Sequence, residues 1–331
     1  MAVVADPPHC SRHADDLIMT TLPVPTAVKP YQVHWVYAGT LLTGHLLALL
    51  ALLPYFFSWT GLIVMVVGVH VFGQGITIGY HRLLTHRSFH TPRWVEHCFA
   101  VLGICCLEDT PVRWVAAHRI HHNHSDEGED PHTPLVNFIW SHFGWLVYRN
   151  RATQSLGALQ KFARDLLQDP FYMYLERHYY AQVWIWLAHV LVYFVAGLAG
   201  AMIAGGNWAA GVQLGASCVI WGVLVRTVVV WHITWSVNSL SHLFGYRNYE
   251  TSENSKNNWV VAMMTVGEGW HNNHHEDPSA CTVQHRWWEW DISYYEVRLM
   301  AMMGLASNLI PPSYKRRTAR QSETPADQRE G

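Results

Sequence analysis

Charge is what this chain has least of. Only 14% of its 331 residues are Asp, Glu, Lys or Arg, while 50% are hydrophobic. About a quarter of a soluble protein is charged, so the deficit points to lipid. A formal net charge of −2 leaves no basic excess, which argues against a nucleic-acid partner. Cysteine builds no framework either. Cys10, Cys98, Cys105, Cys106, Cys218 and Cys281 contain no CxxC pair and no regular spacing, so the chain reads as reduced and cytosol-facing. Residues 1–32 lack the apolar core of a cleaved signal peptide. Being Pro-rich and polar, they are expected to form a disordered cytoplasmic segment. The tail 311–331 is expected to be disordered as well.

Apolar length is what the chain has in plenty. Four stretches, about 33–53, 59–80, 181–204 and 208–236, reach the roughly 20 residues that cross a bilayer at 1.5 Å per residue. Short links around Pro54–Ser58 and Gly205–Asn207 join them pairwise, and neither contains Lys or Arg. Every basic residue except Arg226 lies in the N-terminal segment, in 81–180 or beyond 236. By the positive-inside rule these parts, with both termini, face the cytoplasm. The expected fold is therefore an all-α integral membrane domain, 33–310. Its four transmembrane helices form two hairpins, and a cytoplasmic helical cap is made from 81–180 and 237–310. The apolar runs Val95–Leu107 and Phe138–Val147 are too short to span and read as cytoplasmic or interfacial helices.

Three histidine clusters border these spans: His81 with His86, His118-Arg119-Ile120-His121-His122, and His271-Asn272-Asn273-His274-His275. The HxxHH spacing places three imidazoles on one helical face. Neutral imidazole ligates Fe, Zn and Cu, and eight rings suit two ions better than one. His242, four residues after Asn238 at the end of the last span, adds a ninth, and Asn238 is placed to hold a metal-bound water. His45, His70 and His189 lie inside spans and read as satisfied core residues, while His9, His13 and His34 read as surface or interface residues. Beside the second cluster, His124 and His132 are expected to support the site. Asp126 and Asp130 are expected to accept the outward N–H of a ligand imidazole, and Glu268 to do the same or to cap a helix.

The segments GITIGYHRLLTH (75–86), WVAAHRIHHNHSDEGEDPH (114–132), TWSVNSLSHLFG (234–245), GEGWHNNHH (267–275) and WWEWDISYYEVR (287–298) resemble the membrane fatty-acid desaturases of the Δ9 acyl-CoA or acyl-lipid type. The likeness runs from about 33 to 310, in family order. It implies two iron ions on His81, His86, His118, His121, His122, His242, His271, His274 and His275, with Asn238 reaching one of them through water. It also implies an acyl tunnel lined by Trp114, Thr234 and Trp235. Glu108 stands where the family usually has Gln, and a buried carboxylate there needs a partner or a raised pKa. His232 is more like bacterial and plant relatives than animal ones.

The reaction this resemblance implies is an O2-dependent oxidation that makes a cis double bond in a saturated acyl chain on CoA or a glycerolipid. Its electrons would come from a separate carrier, ferredoxin or cytochrome b5 with a reductase, because no heme-binding HPGG segment is present. Two other readings compete: a membrane di-iron hydroxylase of acyl chains or alkanes, and a metal-binding transporter. A transporter would place its ligands at the bilayer midplane, whereas here they border the spans.

Overall fold

The computed structural model describes residues 21–178 and 180–316, and the expectations for 1–20 (with His9 and His13) and for 317–331 lie outside them. Among the described residues the chain is helical, with only isolated β-bridges. Four helices are long and apolar enough to cross a membrane: Trp35–Leu52, Trp59–Thr85, Tyr180–Ile203 and Trp208–Leu243. Local chemistry starts each hairpin arm. Ser58 accepts from Gly61 N–H to begin the second span, and Asn207 caps the fourth after a turn at Gly205, φ 81°. The third and fourth spans meet closely at Gly197 and Gly215, where an added Cβ on Gly215 would sit 2.7 Å from the Phe194 carbonyl. Small residues at such crossings are how apolar helices pack in lipid.

Two spans run past their expected ends. The second has 27 residues and the fourth 36, roughly 40 and 54 Å at 1.5 Å per residue, against a hydrocarbon core of about 30 Å. The surplus turns leave the apolar layer on one side and carry His81 and His242 into the cap. Residues 21–32, expected to be disordered, instead pack on that cap. Val28 is buried, and Leu22 N–H donates to the Leu135 carbonyl at 2.9 Å. Residues 311–316 are likewise held, through Arg316 and Asp277 at 2.7 Å. In both segments an apolar or charged anchor outweighs the polar composition that suggested disorder.

Arg226 is fully buried within the fourth span. Its guanidinium donates to the Cys105 and Gly222 carbonyls and lies 4.2 Å from the Phe72 ring. This draws the 105–110 segment into the bundle, where Trp231 Nε1 also donates to the Cys106 carbonyl. The isolated span histidines hold elements together. His45 and His142 each lie 3.0 Å from His232, His70 lies 2.6 Å from Glu296, and His189 lies 3.3 Å from Arg226.

Candidate metal centre

The nine histidines gather into two groups at the cap end of the spans. One holds His81, His86, His118, His122 and His274, and the other holds His121, His242, His271 and His275. Within each group the ring nitrogens lie within 4.8 Å of one another.

Helical geometry explains the division. At 100° per residue, positions i+3 and i+4 fall on opposite sides of position i. The pair His118 and His122 therefore serves one group while His121 serves the other. The pair His271 and His275 serves the second group while His274 crosses to the first. His81 and His86 are five apart, and an α-helix would set them 140° apart. The chain instead forms a π-helix over Gly75–Thr85, and His86 N–H donates to the His81 carbonyl. The i+5 bond of that form brings the two rings together edge to face, 4.8 Å apart.

Carboxylates stand behind the rings. Glu268 lies 2.7 Å from His81 Nδ1, Asp130 lies 3.0 Å from His121 Nδ1, and Asp126 lies 3.0 Å from His242 Nδ1. A fourth, Glu253, lies 3.8 Å from His275 Nδ1. A carboxylate on Nδ1 holds the proton there and leaves Nε2 facing inward as a lone pair. Burial would raise these acids, but Arg82 and His81 hold Glu268 down to about 2, and His242 with its hydrogen bond holds Asp126 well below the usual carboxylate range. Burial, then neighbouring rings, pushes His86, His118, His122, His271, His274 and His275 well below the ordinary imidazole value. The rings are neutral, which is the ligand form. Buried His86 Nε2 and His121 Nε2 have no protein partner. Nitrogens converging on two centres, with two of them orphaned, fit metal ions better than a hydrogen-bonded core.

Several residues here went unread in the sequence. Arg82 is buried and donates to both Glu268 and Asp291, at 2.8 and 2.9 Å, so it fastens the C-terminal segment to the second span. Its signal was hidden, because apolar patterning ended the second span near residue 80 and left Arg82 outside it. Glu253 had no signal, because it lies in a polar loop. Asn273 donates to Glu289 and the Val283 carbonyl and steadies the helix His271–Glu276. Of the flanking histidines, His132 is buried, its ring 4.4 Å from that of His121. His124 stands apart, 3.4 Å from Glu127 near the surface.

A cavity of about 570 Å³ reaches both groups through His81, His118 and His271 and is lined by Glu108, Trp114, Thr234, Trp235 and Asn238, with apolar residues of all four spans. Trp114 stacks on His118 at 5.0 Å and donates Nε1–H to Glu108 Oε2 at 3.3 Å. The second Glu108 oxygen is buried without a partner. Leu107 and Asp109 on either side hold left-handed backbone, φ 55° and 82°, a strained arrangement of the kind found at functional sites. Burial pushes the Glu108 carboxyl up to about 8, against hydrogen bonds from Thr234 and Trp114. A second, polar recess opens on the outer cap surface, where His86, His122 and His275 meet Arg119, Lys161 and Glu127.

The fatty acid desaturase family model matches residues 56–301. Among curated proteins the chain is 40% identical over 287 residues to an sn-1 stearoyl-lipid 9-desaturase of Anabaena variabilis, covering 86% of this chain and 97% of that one. It is 36% identical over 285 residues to an sn-2 palmitoyl-lipid 9-desaturase of Nostoc sp. strain 36, covering 85% and 92%. It is 35% identical over 298 residues to an acyl-CoA 5-desaturase of Anemone leveillei, covering 88% and 86%.

Proposed function

This chain belongs to the fatty acid desaturase family, and from that premise we propose that it forms a cis double bond, at Δ9, in a saturated acyl chain carried on CoA or a glycerolipid, using two iron ions. The observation that carries the reading is the meeting of two imidazole groups with an apolar cavity at one end of a membrane bundle. His81, His86, His118, His122 and His274 would hold one ion. His121, His242, His271 and His275 would hold the other, with Asn238, one helical turn before His242, contributing through water. When bound, such a centre supplies the O2 chemistry that side-chain acids and bases lack for an unactivated methylene.

The protein's share is placement and exclusion of water. Trp114, pinned between His118 and Glu108, and Thr234, which hydrogen-bonds the same Glu108, form a polar-backed wall at which the acyl chain would bend. A bent chain presents one carbon pair in the geometry of a cis product. A protonated Glu108 does there what an amide would do: it accepts from Trp114 without placing a charge in the tunnel. The outer recess brings three ligand edges to the cap surface, where a separate electron carrier, ferredoxin or cytochrome b5, would approach. The cap and both termini are assigned to the cytoplasm on the charge pattern.

The test is expression in a desaturase-deficient host, with fatty-acid profiling and location of the double bond by mass spectrometry. Products two mass units lighter, unsaturated at Δ9, are expected. Products sixteen units heavier would replace desaturation with hydroxylation.

A further inference from the structure

The C-terminal segment leaves a broad apolar surface uncovered. In the helix Ile292–Met302, the residues Ile292, Tyr295, Leu299 and Met302 recur at steps of three, four and three, and all are exposed, Met302 at 76%. The opposite face is buried, with Val297 in one cluster with Ile78 and Leu83. A helix with apolar residues on opposite faces needs an apolar neighbour on each, and the protein supplies one. The helix holds two charges, and both are engaged. Glu296 lies 2.6 Å from His70, and Arg298 lies 6.0 Å from the Tyr294 ring.

The surface continues on both sides of the third histidine cluster. Trp287, Trp288 and Trp290 precede the helix and are exposed, as are Trp259, Val260, Met263 and Met264 in the helix Trp259–Met264. Trp270 Nε1 donates to the Trp290 carbonyl at 2.9 Å and ties the two stretches together. Contiguous apolar patches of this extent mark an interaction surface.

Its depth names the partner. Ser293 Oγ donates to Gln74 Oε1 at 3.0 Å, and Glu296 meets His70, so the helix lies against the second span. That span begins at Trp59, which puts His70 and Gln74 roughly 16 and 22 Å along it at 1.5 Å per residue. Both lie within a hydrocarbon core of about 30 Å. Val66, Val67 and Val71 of the same span are exposed, so lipid borders the span there. The chain's remaining residues, 317–331, contain no Val, Ile, Leu, Met, Phe, Tyr or Trp and offer nothing to cover an apolar stripe. Tryptophan clustered beside such a stripe is the mark of headgroup depth.

We infer that 259–264 and 287–303 form a membrane-seated surface, with Leu299 and Met302 in the acyl layer of the leaflet beside the histidines and the tryptophans at its headgroups. The cap expected from the charge pattern then has one face in lipid, as an in-plane amphipathic helix does. The helix His271–Glu276, which lies between the two stretches in the chain, is carried on that face. The surface is independent of the reaction the centre runs.

Two measurements on the full-length protein in phosphatidylcholine nanodiscs test it. In the first, a nitroxide is placed at Leu299→Cys, at Met302→Cys or, on the outer cap, at Lys161→Cys, with Cys10 and Cys98 replaced by Ser. Oxygen should relax the labels at 299 and 302 while a water-soluble nickel chelate does not, and the order should reverse at 161. Chelate access at 299 and 302 equal to that at 161 would put the stripe in water. Exclusion of both reagents would put it against a second copy of the chain. Either result overturns the inference.

The second measurement leaves the sequence unaltered. Phosphatidylcholine carrying a diazirine within its acyl chain is photolysed, and tryptic peptides are read by mass spectrometry. The peptides 287–298 and 299–315 should carry label, as the span peptides do. Labelled spans with both of these peptides unlabelled would defeat the inference even if the cysteine variants fail to fold.

Discussion

At the residue scale, the side chains behind the ligands are as legible in their effects as the ligands themselves. His122→Ala and His274→Ala should each abolish desaturation and lower bound iron, with membrane insertion unchanged on fractionation. Asp130→Asn keeps the shape but stops holding the Nδ1 proton of His121, and it should weaken metal retention by about 10- to 100-fold, measured by chelator competition. Glu108 is a sharper case. Its carboxyl rises from the usual 4.5 to about 8 through burial, so it is mostly neutral at pH 7 and half ionised near pH 8. The unfolded chain releases that proton near 4.5, so stability is lost as pH climbs from there to about 8. Glu108→Gln should flatten this loss between about pH 4.5 and 8 in a thermal-unfolding series. It should also remove any fall in turnover with a midpoint near pH 8. A midpoint unchanged in the variant would assign that limb to another group. In the sequence Glu108 stood out only as a departure from the usual Gln; its protonated state needed the buried cavity wall to be seen.

At the element scale, the two long spans and the π-turn do most to build the site. Apolar patterning located four spans but ended the second near residue 80 and the fourth near 236, because hydropathy registers where lipid stops rather than where the helix stops. The helices continue to Thr85 and Leu243, and those extra turns carry His81 and His242. The i+5 pairing of His81 and His86 was similarly hidden. Five-residue spacing suits no α-helical face, and only the backbone form resolves it. Arg82 joins these extensions to the C-terminal segment through two buried carboxylates. Arg82→Leu would leave Glu268 and Asp291 unpaired, and breaking a buried pair from one side costs about 3–5 kcal/mol. The expected result is a large drop in melting temperature in detergent, together with iron loss, since Glu268 also holds His81. Retained stability with full iron occupancy would show that Glu268 is oriented by something else.

At the scale of the whole molecule, the bundle is a device for keeping many imidazoles neutral and close together. Burial and mutual proximity hold six of the nine rings well below their ordinary value of 6.5. An unfolded chain takes up protons on those rings as pH falls through 6.5, and the folded one resists. Stability of the metal-free protein is thus greatest above 6.5 and declines as pH drops below it. Differential scanning of chelator-treated protein between pH 7.5 and 5 should show a steadily falling transition temperature, and a flat profile would contradict the packed-imidazole arrangement. The sequence by itself determined the clustered histidines, the four spans and the family, because histidine spacing and apolar length are local properties written in single segments. Only the tertiary structure decided which imidazole joins which group, that Glu253 and Asp126 reach across from separate loops, and where the cavity opens. Those depend on the relative placement of helices far apart in the chain, which is set by packing among all of them and by no one segment's pattern.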